Sequence, residues 1–84
     1  MSNKKIYVGN LSFNTTAEEL ETEFSNYGEI EELKLITDME TGRSKGFAFI
    51  TFKTPEAMQA ALEKNEQELD GRALRVNEAE ERKP

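Results

Sequence analysis

The most informative stretch of this sequence is the octapeptide KGFAFITF at residues 45–52. Its β-branched and aromatic residues predict a strand over residues 46–52. Side chains of a strand alternate between two faces, so Ala48 and Phe52 share one side while Lys45, Phe47 and Phe49 share the other. The first side suits burial in a core. The second side places two phenylalanines where a core need not cover them.

The segments around this strand predict two helices and three further strands. Residues 5–9, Ile30 with residues 33–37, and residues 73–77 are β-prone runs. Thr16 with Glu19 has the spacing of a capping box, and Thr54 followed by Pro55 is typical of a second helix start. Residues 38–44 are rich in turn formers and predict a hairpin connection. The predicted order is therefore β-α-β-β-α-β, an α+β ferredoxin-like fold with two helices on one face of a four-stranded antiparallel sheet.

Apolar spacing assigns the core. One helix carries Ala17, Leu20, Phe24 and Tyr27 at helical spacing and should stop at Gly28. The second helix carries a stripe over residues 57–62, with Asn65 as its left-handed stop. The predicted core residues are Leu20, Phe24, Phe52, Val8, Ile50, Leu74 and Val76, with Phe13 at the rim.

Length and composition limit the classes of protein that this chain can represent. Its 84 residues predict one domain over residues 1–84, with a core at 5–79 and a polar tail at 80–84. With no cysteine and no histidine, we expect no disulfide, no metal site and no cofactor. No apolar run approaches the roughly 20 residues that cross a bilayer, so we expect a cytoplasmic protein without membrane contact. The net charge of −6 argues against phosphate-rich partners as a bulk property, but residues 33–54 carry four bases and two acids.

A third aromatic ring belongs with the two phenylalanines. Ile6 and Val8 are the residues that the first strand would bury, so Tyr7 faces the opposite side. In this topology the first and third strands are central neighbours, and Tyr7, Phe47 and Phe49 would lie together on a face that no helix covers. Exposed rings beside cations are what single-stranded nucleic acids require, because bases stack on the rings and phosphates pair with the cations.

The two central strands resemble the signature of the RNA recognition motif family. Residues 45–52 fit the family octapeptide, K/R-G-F/Y-G/A-F-V-x-F/Y, at every position except Ile50. Residues 6–11, IYVGNL, resemble the companion hexapeptide, and the spacing of about 35 residues is similar to that of the family. The likeness extends over residues 5–79, and small standalone bacterial proteins of this family look most similar.

The resemblance implies roles for the aromatic residues. It assigns base stacking to Tyr7 and Phe49, and packing against the sugars to Phe47. Lys45 would contact a phosphate, and Arg43 in the hairpin would make a peripheral phosphate contact.

The resemblance also extends the site along the second and last strands. Arg75 and Asn77, with the backbone of residues 78–79, match the segment that often reads base edges in this family. Lys34 and Ile36 share the open face on the second strand. The implied partner is single-stranded RNA, or single-stranded DNA, bound by a monomer without catalysis.

Two other functions compete with this interpretation. A protein-binding relative could use the acidic first helix for basic peptides, but such relatives usually lose the octapeptide aromatics and carry Arg-x-Phe before the last strand. Here the corresponding triplet is Arg72-Ala73-Leu74. An enzyme of acylphosphatase type on the same layout is disfavoured, because the sequence offers neither a phosphate-cradling loop nor a nucleophile–base pair.

Overall fold

The computed structural model describes residues 4–79 and has two helices and six strands. The elements are β1 (Lys5–Gly9), α1 (Ala17–Phe24), β2 (Ile30–Thr37), β3 (Ser44–Phe52), α2 (Pro55–Ala61), β4 (Glu68–Leu69), β5 (Arg72–Ala73) and β6 (Arg75–Glu78). Four strands form one antiparallel sheet in the order β2-β3-β1-β6, and β4 pairs with β5 in a separate small hairpin. The ferredoxin-like α+β fold is confirmed. The predicted tail at 80–84 lies outside the described residues.

The core lies between the helices and one face of the sheet. Ile6, Val8, Ala48, Ile50 and Phe52 are fully buried on the central strands. They form one cluster with residues of α1 and α2, namely Leu20, Phe24, Ala57, Met58 and Ala61. Burial of each large side chain contributes about 1.5–3 kcal/mol to stability. The aromatic residues of the opposite sheet face, Tyr7, Phe47 and Phe49, are not part of this cluster. Neither helix within residues 4–79 is long and apolar enough to cross a membrane.

Both helices begin where their caps predict. The Thr16 hydroxyl accepts a hydrogen bond from the Glu19 amide at 3.1 Å, and the Thr54 hydroxyl accepts one from the Ala57 amide at 3.1 Å. After α1 a single 3-10 turn leads to Gly28. A side chain on Gly28 would overlap the Cβ of Ala57 in α2, so the glycine lets the two helical segments approach closely.

An irregularity in β2 brings two apolar residues to the same side. Ile30 pairs with Phe52, whereas Glu32 pairs with Thr51 and Leu33 with Ile50. Two residues of β2 thus match one step of β3, which is a bulge around position 31. Ile30 and Leu33 are three residues apart and would face opposite sides of a regular strand, yet both pack against the core.

Several predicted details are wrong, because tertiary contacts override local pattern. Ala17 is exposed and lies outside the buried stripe, and Phe13 is 72% exposed rather than at the core rim. Asn65 has φ −58°, and the left-handed residue is Glu66 with φ 70°. The Asn65 side chain instead accepts a hydrogen bond from the Val76 amide at 2.9 Å, which covers part of the β6 edge.

The predicted strand over 73–77 is divided into two. The turn at Asp70 and Gly71, both with positive φ, pairs β4 with β5. Leu74 is buried between β5 and β6 and interrupts the run. Asn10 joins this hairpin to the end of β1, since its amide nitrogen donates to the Ala73 carbonyl at 2.6 Å and its oxygen accepts from Arg72 at 2.7 Å.

Candidate nucleic-acid interface

The three predicted aromatic residues form one cluster on the sheet face opposite the helices. The ring centroid of Tyr7 lies 5.8 Å from that of Phe49 and 5.9 Å from that of Phe47. The two phenylalanine centroids are 6.1 Å apart, with the rings nearly perpendicular at 86°. All three side chains are half-buried by one another and by the sheet. We call these residues the aromatic triad.

Strand register aligns four predicted site residues in one row across the sheet. Lys34 on β2 pairs with Phe49 on β3, which pairs with Tyr7 on β1, which pairs with Asn77 on β6. Directly opposite residues of antiparallel strands have their Cβ atoms about 4.5–5.5 Å apart and project to the same face. The row therefore places a cation at one end of the two rings and an amide group at the other.

A second group lies beside this row, toward the hairpin between β2 and β3. Arg75 pairs with Gly9 and is exposed, and Ile36 is two residues beyond Lys34 on the same face of β2. Phe47 is the aromatic residue of this second group. The structure thus brings together seven of the nine predicted residues on one surface, over four strands.

The other two predicted residues, Lys45 and Arg43, lie at the edge of this surface. Between Leu35 and Thr37 of β2 the partner residues on β3 change from Ala48 to Ser44, so β3 carries extra residues there. Gly46 has φ +88° within this irregularity, which breaks the alternation from which the side of Lys45 was predicted. Lys45 is exposed, and Arg43 is exposed in the hairpin.

Sequence reasoning missed one cation of this face. The Lys5 ammonium lies 5.0 Å from the ring centroid of Phe49, within range of a cation–π interaction. Lys5 is two residues before Tyr7 on β1, so the alternation that placed Tyr7 could also have placed Lys5.

A backbone group predicted for base recognition is already used by the sheet. The Ala79 amide donates to the Lys5 carbonyl at 2.9 Å and extends the pairing of β6 with β1. The two β6 side chains predicted to read base edges, those of Arg75 and Asn77, are both exposed. Side chains of β6, rather than that amide, remain available for contacts.

Charge is divided between the two sides of the molecule. Lys5 and Lys34 lie within the open face, and Lys45 and Arg43 lie at its margin. Glu32 is the acidic residue paired with Thr51, which also pairs with Lys5. The exposed glutamates of α1, Glu18 and Glu21, belong to the helical layer behind the sheet. A net charge of −6 therefore coexists with a cationic surface around the aromatic triad.

An acidic pair joins α1 to the turn between β4 and β5, away from this face. The hydroxyl of Thr15 donates to the Asp70 carboxylate at 2.7 Å. Hydrogen bonding between the carboxyl groups of Glu19 and Asp70 raises the pKa of Glu19 and, with the bond from Thr15, lowers the pKa of Asp70. Among residues 4–79 no cluster of three or more aspartate or glutamate side chains is arranged to hold a metal ion.

Comparison with known proteins identifies the family to which this chain belongs. The model of the family described as RNA recognition motif matches residues 6–75, which is most of the chain. The chain belongs to the RNA recognition motif family. Glycine-rich RNA-binding protein 1 of Mycosarcoma maydis is 53% identical over 79 residues, covering 93% of this chain and 45% of that protein. The chain spans about half the length of the curated relatives that it matches.

Solved structures are similar over almost all of the chain. The crystal structure of RNA binding protein PG1 superposes with a TM-score of 0.90 at 40% identity, covering 98% of this chain and 100% of that chain. The structure of the Rna15 RRM with bound RNA (GU) has a TM-score of 0.86 at 32% identity, covering 94% of this chain and 85% of that one.

Proposed function

We propose that this chain is a non-catalytic module that binds single-stranded RNA by stacking bases on the aromatic triad. The observation that carries the proposal is the row in which Lys34, Phe49, Tyr7 and Asn77 cross the open face of the sheet. Rings on a rigid sheet, with a cation at one end and an amide at the other, suit unpaired bases. Similarity to the Rna15 RRM, solved with bound RNA, supports the same ligand.

Each residue of the surface has a role in this proposal. Tyr7 and Phe49 stack on bases, and Phe47 packs against the sugars. Arg75 and Asn77 contact base edges from β6.

Cations within the surface and at its margin hold the backbone of the nucleic acid. Lys34, Lys45 and Arg43 pair with phosphates, and Ile36 makes an apolar contact beside Lys34. The chain acts as a monomer in the cytoplasm, and single-stranded DNA binds the same rings, since every base has a face that stacks.

Amide-shift titration tests the proposal. A random-sequence pool of single-stranded RNA hexamers is expected to shift the amides of Tyr7, Phe47 and Phe49. A basic peptide, titrated in parallel, probes the competing function on the helical side. Shifts confined to residues 17–32 with the peptide, and none on the triad with RNA, would overturn the proposal.

A further inference from the structure

Gly9 is buried, although it lies on the sheet face opposite the helices. It follows Tyr7 by two residues on β1, so both residues project to that face. The group that covers Gly9 is the Tyr7 ring. A methyl carbon on Gly9 would lie 2.7 Å from Cε1 and Cζ of Tyr7 and would also overlap the hydroxyl oxygen. Carbon atoms in contact are about 3.5–4.0 Å apart, so the ring occupies the space of a side chain at position 9.

This position of the ring explains its contacts with both phenylalanines. Phe49 is directly opposite Tyr7 in the register, and Phe47 and Gly9 are each the next residue after the last pair of β1 with β3, Val8 with Ala48. A ring that reaches from Tyr7 toward Gly9 therefore lies between the two, at 5.8 Å from Phe49 and 5.9 Å from Phe47. The contacts that join the three rings of the aromatic triad depend on this position of the Tyr7 ring.

The backbone gives no separate reason for a glycine at this position. The described glycines with positive φ are Gly28, Gly42, Gly46 and Gly71, and Gly9 is not among them. Gly9 lies in regular pairing with Arg75, in a conformation that an L-residue adopts. A larger residue at position 9 would therefore clash with the Tyr7 ring, whereas the backbone conformation would accept it.

We infer that Gly9 is a positioning residue for RNA binding. Because Gly9 has no side chain, the Tyr7 ring can occupy the space above it and lie between Phe47 and Phe49. A side chain at position 9 lifts the ring out of the triad and changes the surface on which a base stacks. This inference rests on the proposed function. It adds a residue that affects RNA binding indirectly, through the position of the Tyr7 ring.

A double-mutant cycle tests it. The proteins are the wild type, Gly9→Ala, Tyr7→Ala and the double variant. Gly71→Ala is the control for destabilisation without ring contact, because a methyl carbon there meets no atom within 4 Å but the φ of +83° strains the backbone. The Kd for fluorescein-labelled, random-sequence single-stranded RNA hexamers is measured by anisotropy, below the melting temperature of every variant. Tyr7→Ala is expected to raise Kd by roughly 5- to 150-fold. Gly9→Ala is expected to raise Kd at least about twofold, but to have no effect once Tyr7 is alanine.

Each other outcome has a distinct meaning. If Gly9→Ala raises Kd equally in both backgrounds, or leaves it unchanged while Tyr7→Ala weakens binding, the positioning role is wrong and the proposed function stands. If Tyr7→Ala itself has no effect, the stacking function fails. Gly71→Ala should leave Kd unchanged.

Two measurements without RNA address the ring directly. In the free wild type, the α-protons of Gly9 should show an upfield ring-current shift that disappears in Tyr7→Ala. If Gly9→Ala lowers the melting temperature, Tyr7→Ala in the same chain should restore it to that of the single Tyr7→Ala variant. No ring-current shift, or no recovery, would overturn the inference even if the single variant folds poorly.

Discussion

Tyr7 and Phe49 are direct cross-strand partners at the centre of the sheet, and their ring centroids lie 5.8 Å apart with the ring planes inclined at 58°. The two residues come from different motifs and are 42 positions apart in the chain. Their contact joins the two motifs into one surface, and the inclination prevents the rings from stacking face to face on each other. Each ring thus keeps surface on which a base can stack.

The two sides of β3 separate stability from binding. Phe52 is fully buried, so Phe52→Ala should lower the free energy of unfolding by about 3–5 kcal/mol, as measured in urea. Phe47 is half-buried on the open face, so Phe47→Ala should shift the melting temperature by only a few degrees. RNA binding should weaken by about 1–3 kcal/mol, or roughly 5- to 150-fold in Kd. Equal destabilisation by both variants, with unchanged RNA affinity for Phe47→Ala, would mean that the open face is not the binding surface.

The salt dependence of binding should be shallow. The open face and its margin offer few cations, so we expect about two or three phosphates to be neutralised. The slope of log K against log salt for single-stranded RNA should then be about −1.5 to −2, with stacking supplying most of the affinity. Titrations with single-stranded RNA at KCl concentrations from 50 to 300 mM measure this slope. A slope steeper than about −4 would indicate an electrostatic binder instead.

The glutamates of α1 should favour single strands over duplex DNA. Glu18 and Glu21 are exposed, whereas the Glu23 carboxylate lies 2.9 Å from the Lys64 ammonium and should be left intact. Replacing Glu18 and Glu21 with glutamine should raise affinity for both ligands, and more for duplex DNA, which gains only from electrostatics because its bases are already stacked. Kd values for a matched duplex and single strand are compared. An unchanged ratio would show that these glutamates are only a solvated surface.

The Glu19–Asp70 pair should make stability depend on pH. The raised pKa of Glu19 stabilises the folded state at acid pH, and that contribution is lost as the pH rises through the raised value. The lowered pKa of Asp70 acts in the opposite sense, since its contribution is lost as the pH falls through the lowered value. The pair is therefore most favourable between those two values, where a protonated Glu19 donates to an ionised Asp70.

Glu19→Gln isolates this effect, because an amide donates to Asp70 at every pH. The variant should be more stable than the wild type at pH 7, and the difference should shrink as the pH falls through the raised pKa of Glu19. Urea unfolding at pH 4 to 8 measures the difference, with Glu18→Gln as the exposed neighbouring control. A difference that is independent of pH would contradict a shared proton.

The caps and the two-residue period of the central strands could be predicted from sequence because they depend on neighbours in the chain. Thr16 and Thr54 cap amides only three residues away, and Tyr7, Phe47 and Phe49 lie on the open face through alternation alone. The small β4–β5 hairpin was missed, since a two-residue strand is too short to show a period. Asn65 was misassigned because its partner, the Val76 amide, is 11 residues away.

Side-chain direction in a strand follows from position, so the core residues of the central strands and the three rings of the open face could be predicted from sequence. The three-dimensional structure was needed to locate the breaks in that period, at the bulges near position 31 and Gly46, and to place the Lys5 ammonium and the Tyr7 ring. These features result from side-chain packing, which the alternation of a strand does not specify. The core accepts both Ile30 and Leu33, and the Tyr7 ring occupies the space that a side chain on Gly9 would take.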